Sequence, residues 1–275
     1  MKLHNVGYGA NIIENNGKIY LFDAGTRQTG NTKVIPFLEE NYPNLTKIER
    51  IFISHYHQNH TGGIIPIINR YEIGAIHSNG TFSDDPRPNY AEDPIIETEI
   101  DNLTQQLSIP YTFYKQGDTW AENGMEFIMW SPLEKYFTNG GRTSDPNGPT
   151  GGIMQVKYGD FSAVFGGDIF RPHEVAEIWD VIGDVSTNVY FWPHHGDPNT
   201  AVDSIIDPMS LDAAVIESLG SSNVVIDYLT DKGIDYLWMY YTGRSSIQAN
   251  VDGSFVKLTA NTEEYFRPKG NLFIG

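Results

Sequence analysis

Five of the eight histidines crowd into two short stretches, and their neighbours are residue types that hold metal ions. The first stretch is Ser54-His55-Tyr56-His57-Gln58-Asn59-His60-Thr61-Gly62-Gly63. Histidines at i and i+2 of a turn can aim at one cation, and the residues at i+4 and i+5, Asn59 and His60, can serve a second. Imidazole suits zinc, iron and manganese and needs no thiolate beside it. A solvated polar loop is the plainer reading, but packing alone does not explain three histidines in six residues. The second stretch is Phe191-Trp192-Pro193-His194-His195-Gly196-Asp197. A His-His pair by itself is weak, being more often surface or core than ligand. Between the two lies Phe165-Gly166-Gly167-Asp168, where paired glycines let the backbone turn sharply and a carboxylate could give one oxygen to each of two cations. Alone it would be an ordinary turn.

Each of these stretches follows a short apolar run. Residues 50–54 read as a buried strand that delivers the first cluster; 153–158 and 162–165 form a hairpin ending at Asp168; 189–192 deliver the histidine pair. Upstream, residues 11–25 read as a hairpin turning at Asn16-Gly17. Helices are expected over 32–41, 64–68, 95–107 and 223–232, and further strands over 125–130 and 236–241, with a last hairpin at Asp252-Gly253. Residues 138–152 read as a long loop, and with the insertion 83–94 they are expected to wall the pocket. No repeat or low-complexity linker interrupts this pattern. One domain of two α/β halves, spanning 1–275, is the expectation.

Composition narrows the class. The 275 residues include no cysteine, which removes disulfides, a thiolate zinc site and a cysteine nucleophile. A hydrophobic fraction of 40% supports a core and excludes disorder. Eighteen Lys+Arg against 35 Asp+Glu give a net charge of −17, which argues against a basic groove for long nucleic acid. No run approaches the roughly 20 apolar residues that span a bilayer. The first eight residues hold no apolar h-region, so the sequence as written reads as cytoplasmic, or as secreted if a leader has been removed.

The ordered set His-x-His-x-x-His, Gly-Asp and His-His-Gly resembles the metallo-β-lactamase superfamily over most of the chain. The resemblance implies a four-layer αββα fold, two mixed sheets sandwiched between helices. By that resemblance His55, His57 and His60 match the family's second motif, Asp168 its bridging aspartate and His195 its last histidine. Asp23, in Leu21-Phe22-Asp23-Ala24-Gly25, matches the first motif, an aspartate that buttresses the metal loop. Val6-Gly7-Tyr8-Gly9-Ala10 and Pro193-His194-His195-Gly196 look similar to the hydrolase domain of the competence DNA-uptake channel. Gly166-Gly167-Asp168-Ile169 and the His-His-x-Asp run are similar to teichoic-acid phosphorylcholine esterases. Both relatives act on phosphodiesters.

Three departures from the pattern matter. Asn59 stands where the family usually has an aspartate ligand; an amide binds a cation more weakly and cannot accept a proton. It is natural or an introduced inactivating substitution, and retention of every other ligand favours the second. A further histidine ligand has no clear match: His77 is the one candidate before Asp168, while His173 and His4 read as structural. Ala10 replaces an acid of the competence signature.

The resemblance implies two divalent cations, zinc first, with manganese or iron as alternatives. His55, His57 and Asp168 would hold one, and Asn59, His60, Asp168 and His195 the other. The expected reaction is hydrolysis of a phosphodiester or phosphate ester, small, choline-bearing or from the cell envelope, by water activated at the metals. His194, Asn59 and Asp168 are the expected catalytic groups, with His194 bonding a phosphoryl oxygen, protonating the leaving group, or only supporting its neighbour. Trp192, Tyr241 and Arg244, joined by Trp238, Tyr240 and Ser245, are candidates for substrate contact; for the aromatics, core packing is the plainer role. The alternatives are a catalytically silent metal- or ligand-binding module and a β-lactam or thioester hydrolase.

Overall fold

A computed structural model describes residues 1–7, 9–169, 171, 175–183, 185–201, 203–217, 223–238, 245–249 and 256–260. Two mixed sheets organise it. The first runs Val256–Ala260, Ser245–Ala249, Lys2–Asn5, Asn11–Asn15, Lys18–Phe22, Arg50–Ile53, Ile76–Ser78, Tyr111–Phe113, and the second Thr119–Glu122, Met125–Ser131, Ile153–Tyr158, Phe161–Phe165, Val189–Phe191, Ala213–Ile216, Asp235–Trp238. Each sheet has an antiparallel part and a parallel part. Pairing becomes parallel from Lys18–Phe22 onward in the first and from Phe161–Phe165 onward in the second.

Side-chain alternation explains the layering, since successive residues of a strand face opposite sides of its sheet. In Lys18–Phe22, Tyr20 and Phe22 enter a core between the sheets, while Ile19 and Leu21 face a second core under the helices. In Val189–Phe191 and Ala213–Ile216, Val189, Phe191, Ala213 and Val215 join the inter-sheet core, and Tyr190, Ala214 and Ile216 join a third core. That third core receives Ile178, Trp179 and Ile182 of helix Ala176–Gly183. Helix Ile64–Arg70 and helix Asp93–Leu107 cover the first sheet with Ile64, Ile67, Ile96 and Ile100. Three cores between four layers are the αββα arrangement.

The expected elements recur with small shifts. The Asn16-Gly17 turn has φ of 52° and 78°, the pair of positive values that a two-residue hairpin of this type requires. The stretch 138–152 is not wholly irregular: Gly141–Thr143 pairs in parallel with Thr81–Ser83. Backbone pairing holds that strand, and no apolar pattern announces it. The Asp252-Gly253 turn lies outside the described residues, although the strands on either side of it pair. Among the described residues no helix is long and apolar enough to cross a membrane.

Parallel strands all point one way, so their C-terminal ends gather at one edge, where α/β sheets bind ligands. Asp23, Ser54-His55, Gly166-Asp168, Trp192-His195 and Glu217 follow the ends of successive strands there.

Candidate metal centre

Asp23 organises the first loop from the end of its strand. Its carboxylate accepts from Ser54 N at 2.7 Å, from Ser54 Oγ at 2.6 Å and from His60 Nδ1 at 2.8 Å. With the Ser54 hydroxyl proton committed to Asp23, Ser54 Oγ accepts from His55 Nδ1 at 2.9 Å. His57 Nε2 donates to Asp85 Oδ2 at 3.3 Å, and His195 Nδ1 donates to Glu217 Oε2 at 3.3 Å. With a cation on the inner side of each ring, these outer partners would fix the tautomers, the outer nitrogen keeping the proton. The bare nitrogens are then Nε2 of His55, Nδ1 of His57, Nε2 of His60 and Nε2 of His195.

Those four nitrogens converge on Asp168, which is buried at the end of Phe161–Phe165. Asp168 Oδ2 lies 3.1 Å from His60 Nε2, 3.6 Å from His195 Nε2 and 3.7 Å from His55 Nε2. Two triads result, His55/His57/Asp168 and His60/Asp168/His195, each with its ligand atoms within 4.8 Å of one another. Gly167 allows this approach: its φ is +56°, and a Cβ there would lie 2.7 Å from the Gly152 carbonyl oxygen.

The donor set fits divalent cations. His55 Nε2 and His57 Nδ1 stand 3.0 Å apart with both outer nitrogens already donating, so two lone pairs face one another unless a cation or a proton lies between them. Asn59 Oδ1 is buried with no hydrogen-bond partner among the described residues, and His60 Nε2 meets only Asp168 Oδ2. Four carboxylates, Asp23, Asp85, Asp168 and Glu217, back or bridge four imidazoles.

Without a cation, protons respond to that charge. Burial pushes Asp168 up, but His60 and His195 outweigh it and hold its carboxyl well below the usual range. Burial likewise opposes a charge on His60, yet Asp168 and Asp23 raise its pKa well above the ordinary value. Burial lowers His57 to about 4 and His55 well below the ordinary value, with His60 adding to the effect on His55. Metal and proton compete for such nitrogens.

The other expected residues are placed as follows. Asn59 Nδ2 sits 3.1 Å from His195 Nε2, one member of the second triad. His194 belongs to neither triad; its Nδ1 is 3.1 Å from Asp197 Oδ2 and its backbone is left-handed, with φ of 47°. Trp192 is 4% exposed and packs beside Tyr190, donating its indole N–H to the Asp197 carbonyl, which anchors the histidine turn from below. His77 is no ligand to this cluster, since its ring nitrogens bond Arg50 at 2.9 Å and Thr112 at 2.7 Å within the core. His4 packs on Phe37 and bonds Tyr42 at 3.2 Å. Tyr240, Tyr241, Arg244 and His173 lie outside the described residues, as do the side chains of Trp238 and Ser245.

Two supporting acids are absent from the sequence-based set. Glu217 ends the apolar strand Ala213–Ile216, and that strand-then-acid pattern, already used for Asp168, could have flagged it. Its carboxylate also accepts from Gly9 N at 2.5 Å and from Asn5 Nδ2, tying Asn5 and Gly9 to His195. Asp85 carries no local signal, because only the chain reversal brings it to His57.

The layered αββα fold carries, at one sheet edge, two histidine–aspartate triads that could each hold a metal ion. Residues 10–129 match the family model described as the metallo-beta-lactamase superfamily. That stretch, which carries the Asp23 and His55–His60 motifs, is similar to that superfamily. No curated protein matches it in sequence. Among solved structures, CmlA, a diiron β-hydroxylase from Streptomyces venezuelae, is similar with a TM-score of 0.54 at 12% identity, over 90% of this chain and 54% of that one. A mutant of the same β-hydroxylase gives a TM-score of 0.55 at 15% identity, over 90% and 53%. The chain thus spans about half the length of those proteins. A metallo-β-lactamase from Cronobacter sakazakii gives a TM-score of 0.45 at 11% identity, over 81% of this chain and 85% of that one.

Proposed function

We propose that this protein is a metal-dependent hydrolase of a small phosphodiester or phosphate ester. Up to two divalent cations would be held, one by His55, His57 and Asp168, the other by Asn59, His60, Asp168 and His195. One observation carries the reading: two ligand triads share Asp168, and a separate partner orients each of the four imidazoles toward it. Cations held in such a set would lower the pKa of bound water and offset charge developing on a phosphoryl oxygen.

The chain's own residues divide the remaining tasks. Asp168 would be shared by the two triads as a carboxylate, its Oδ2 lying nearest His55, His60 and His195. Asp197 holds the His194 ring beside His195, where it serves as a hydrogen-bond donor to a phosphoryl oxygen or as the acid for the leaving group. Asn59 supplies an amide where a carboxylate would both bind a cation and take a proton, so it depresses turnover. Histidine and carboxylate donors favour zinc, manganese or iron. The phosphodiester class rests on the likeness of Pro193–Gly196 and Gly166–Ile169 to the competence and phosphorylcholine esterase branches. The net charge of −17 favours a small ester over long nucleic acid.

The amide on His195 supports a second reading, a metal-binding module without turnover. Metal analysis and hydrolysis of bis-p-nitrophenyl phosphate, run on this chain and on Asn59→Asp, separate the two. The hydrolase reading expects Asn59→Asp to raise both metal content and rate, the rate by about 10-fold or more, as removal of a positioned catalytic group costs. Equal stoichiometry and equal rates would sink it. Turnover of nitrocefin with none of the phosphodiester would move the substrate class to β-lactams.

A further inference from the structure

Sequence reasoning gives the insertion at 83–94 to the pocket wall, yet its contacts run inward, to the first metal loop. Asp85, whose side chain is 1% exposed, receives His57 Nε2 at 3.3 Å. Arg87 holds that carboxylate in place, with Nε at 2.9 Å from both of its oxygens and the backbone N–H at 2.9 Å from Oδ1. Tyr90 stacks face to face on the His57 ring, with centroids 3.8 Å apart and planes at 18°, and the Arg87 guanidinium lies 4.7 Å over Tyr90. Asp93 accepts from Gln58 N at 2.7 Å and from Ser83 Oγ at 2.8 Å, while the Gln58 side-chain amide donates to the Asn89 carbonyl. Arg142 ties the start of the segment to helix Asp93–Leu107 through Ser83 O at 2.8 Å and Glu97 at 2.7 Å.

We infer that residues 83–93 are a brace dedicated to the His55/His57/Asp168 site, with Asp85 the positioning residue that keeps the His57 Nδ1 lone pair turned to the cation. The inference rests on the metal-centre reading above and deepens it. The physical case is the contrast between the sites. His60 and His195 are backed by Asp23 and Glu217, acids that follow sheet strands. His57 is the one ligand whose tautomer and ring plane both depend on a segment outside the two sheets. This site also draws on just two imidazoles and the shared carboxylate, so it gains nothing from redundancy if one ring turns. A carboxylate behind a ligating imidazole raises its basicity and locks its orientation, and losing such a partner costs 10- to 100-fold in metal affinity in other proteins.

The test is a titration of the metal-stripped full-length chain with Co2+ alone. Uptake is followed by calorimetry and by the visible ligand-field absorption. Asp85→Asn keeps the shape but allows an amide N–H to face His57 Nε2; Tyr90→Leu removes the stacking face; Glu217→Gln is the matched change at the other site. Asp85→Asn is expected to weaken one equivalent by about 10- to 100-fold and alter its spectrum, leaving any second equivalent and the metal-free melting temperature at parental values. Tyr90→Leu should weaken the same equivalent less, and Glu217→Gln should spare it. Parental affinity for every equivalent in Asp85→Asn overturns the brace, as does equal weakening of both equivalents. No Co2+ uptake by the parent overturns the metal-centre reading and the brace with it.

Discussion

His77 offers a quantitative test of how the first sheet is held. It is 4% exposed on Ile76–Ser78, stacked on Phe52 at 5.2 Å and beside Trp120 at 4.5 Å. Arg50 Nη1 donates to its Nε2 at 2.9 Å, so Nδ1 must carry the single proton and donate to Thr112 Oγ1 at 2.7 Å. A second proton would set N–H against a guanidinium in a buried site. Burial, with Arg50 adding to it, accordingly lowers the pKa from 6.5 to about 4. The folded chain thus binds this proton more weakly than the unfolded chain. The stability contributed by neutral His77 is full above pH 6.5 and is lost as pH falls towards 4. A gap of about 2.5 units corresponds to about 3 kcal/mol when fully lost, and about 2 kcal/mol is gone by pH 5. Urea unfolding of the metal-free parent and of His77→Gln, at pH 7.5 and pH 5, isolates the effect, because every other titrating group is common to both. The stability difference should shift by about 2 kcal/mol against the parent at pH 5. A difference constant to within about 0.5 kcal/mol would refute the reasoning. So would loss of a metal equivalent in His77→Gln, since a ring engaged at both nitrogens cannot be a ligand.

Asp23→Asn keeps a residue type that tolerates φ of 57° but leaves the Ser54 and His60 donors poorly matched. Metal affinity should fall at least about 10-fold, and unfolding of the metal-free chain should show a loss of about 1–3 kcal/mol; unchanged values would remove Asp23 from its buttressing role. Gly152→Ala would place a Cβ 1.9 Å from the Tyr114 hydroxyl, which is fixed by a 2.7 Å bond to Ile53 O. A loss of about 2 kcal/mol or more, seen as a melting temperature lower by about 5 °C, is expected, and a neutral result would mean the approach is not that tight.

The sequence alone determined the chemistry that depends on short spacing. Three histidines in six residues, an acid after Gly166-Gly167 and a histidine pair after a buried run are legible because each sits within a few residues of the strand that delivers it. The helix and strand periods were legible for the same reason: they record which face of a local element is buried, as in Lys18–Phe22. Only the tertiary structure decided which nitrogens face the candidate metal centre. That depends on Asp85, some thirty residues from His57, and on Glu217, a further twenty-two residues past His195. It also decided that His77 and Trp192 are packing and anchoring groups, because a histidine or tryptophan at a strand end looks the same in sequence whether its partners are Arg50 and Asp197 or a ligand. Residue type and spacing specify what a side chain can do; the partner on its second nitrogen, brought from a distant strand, specifies what it is set to do.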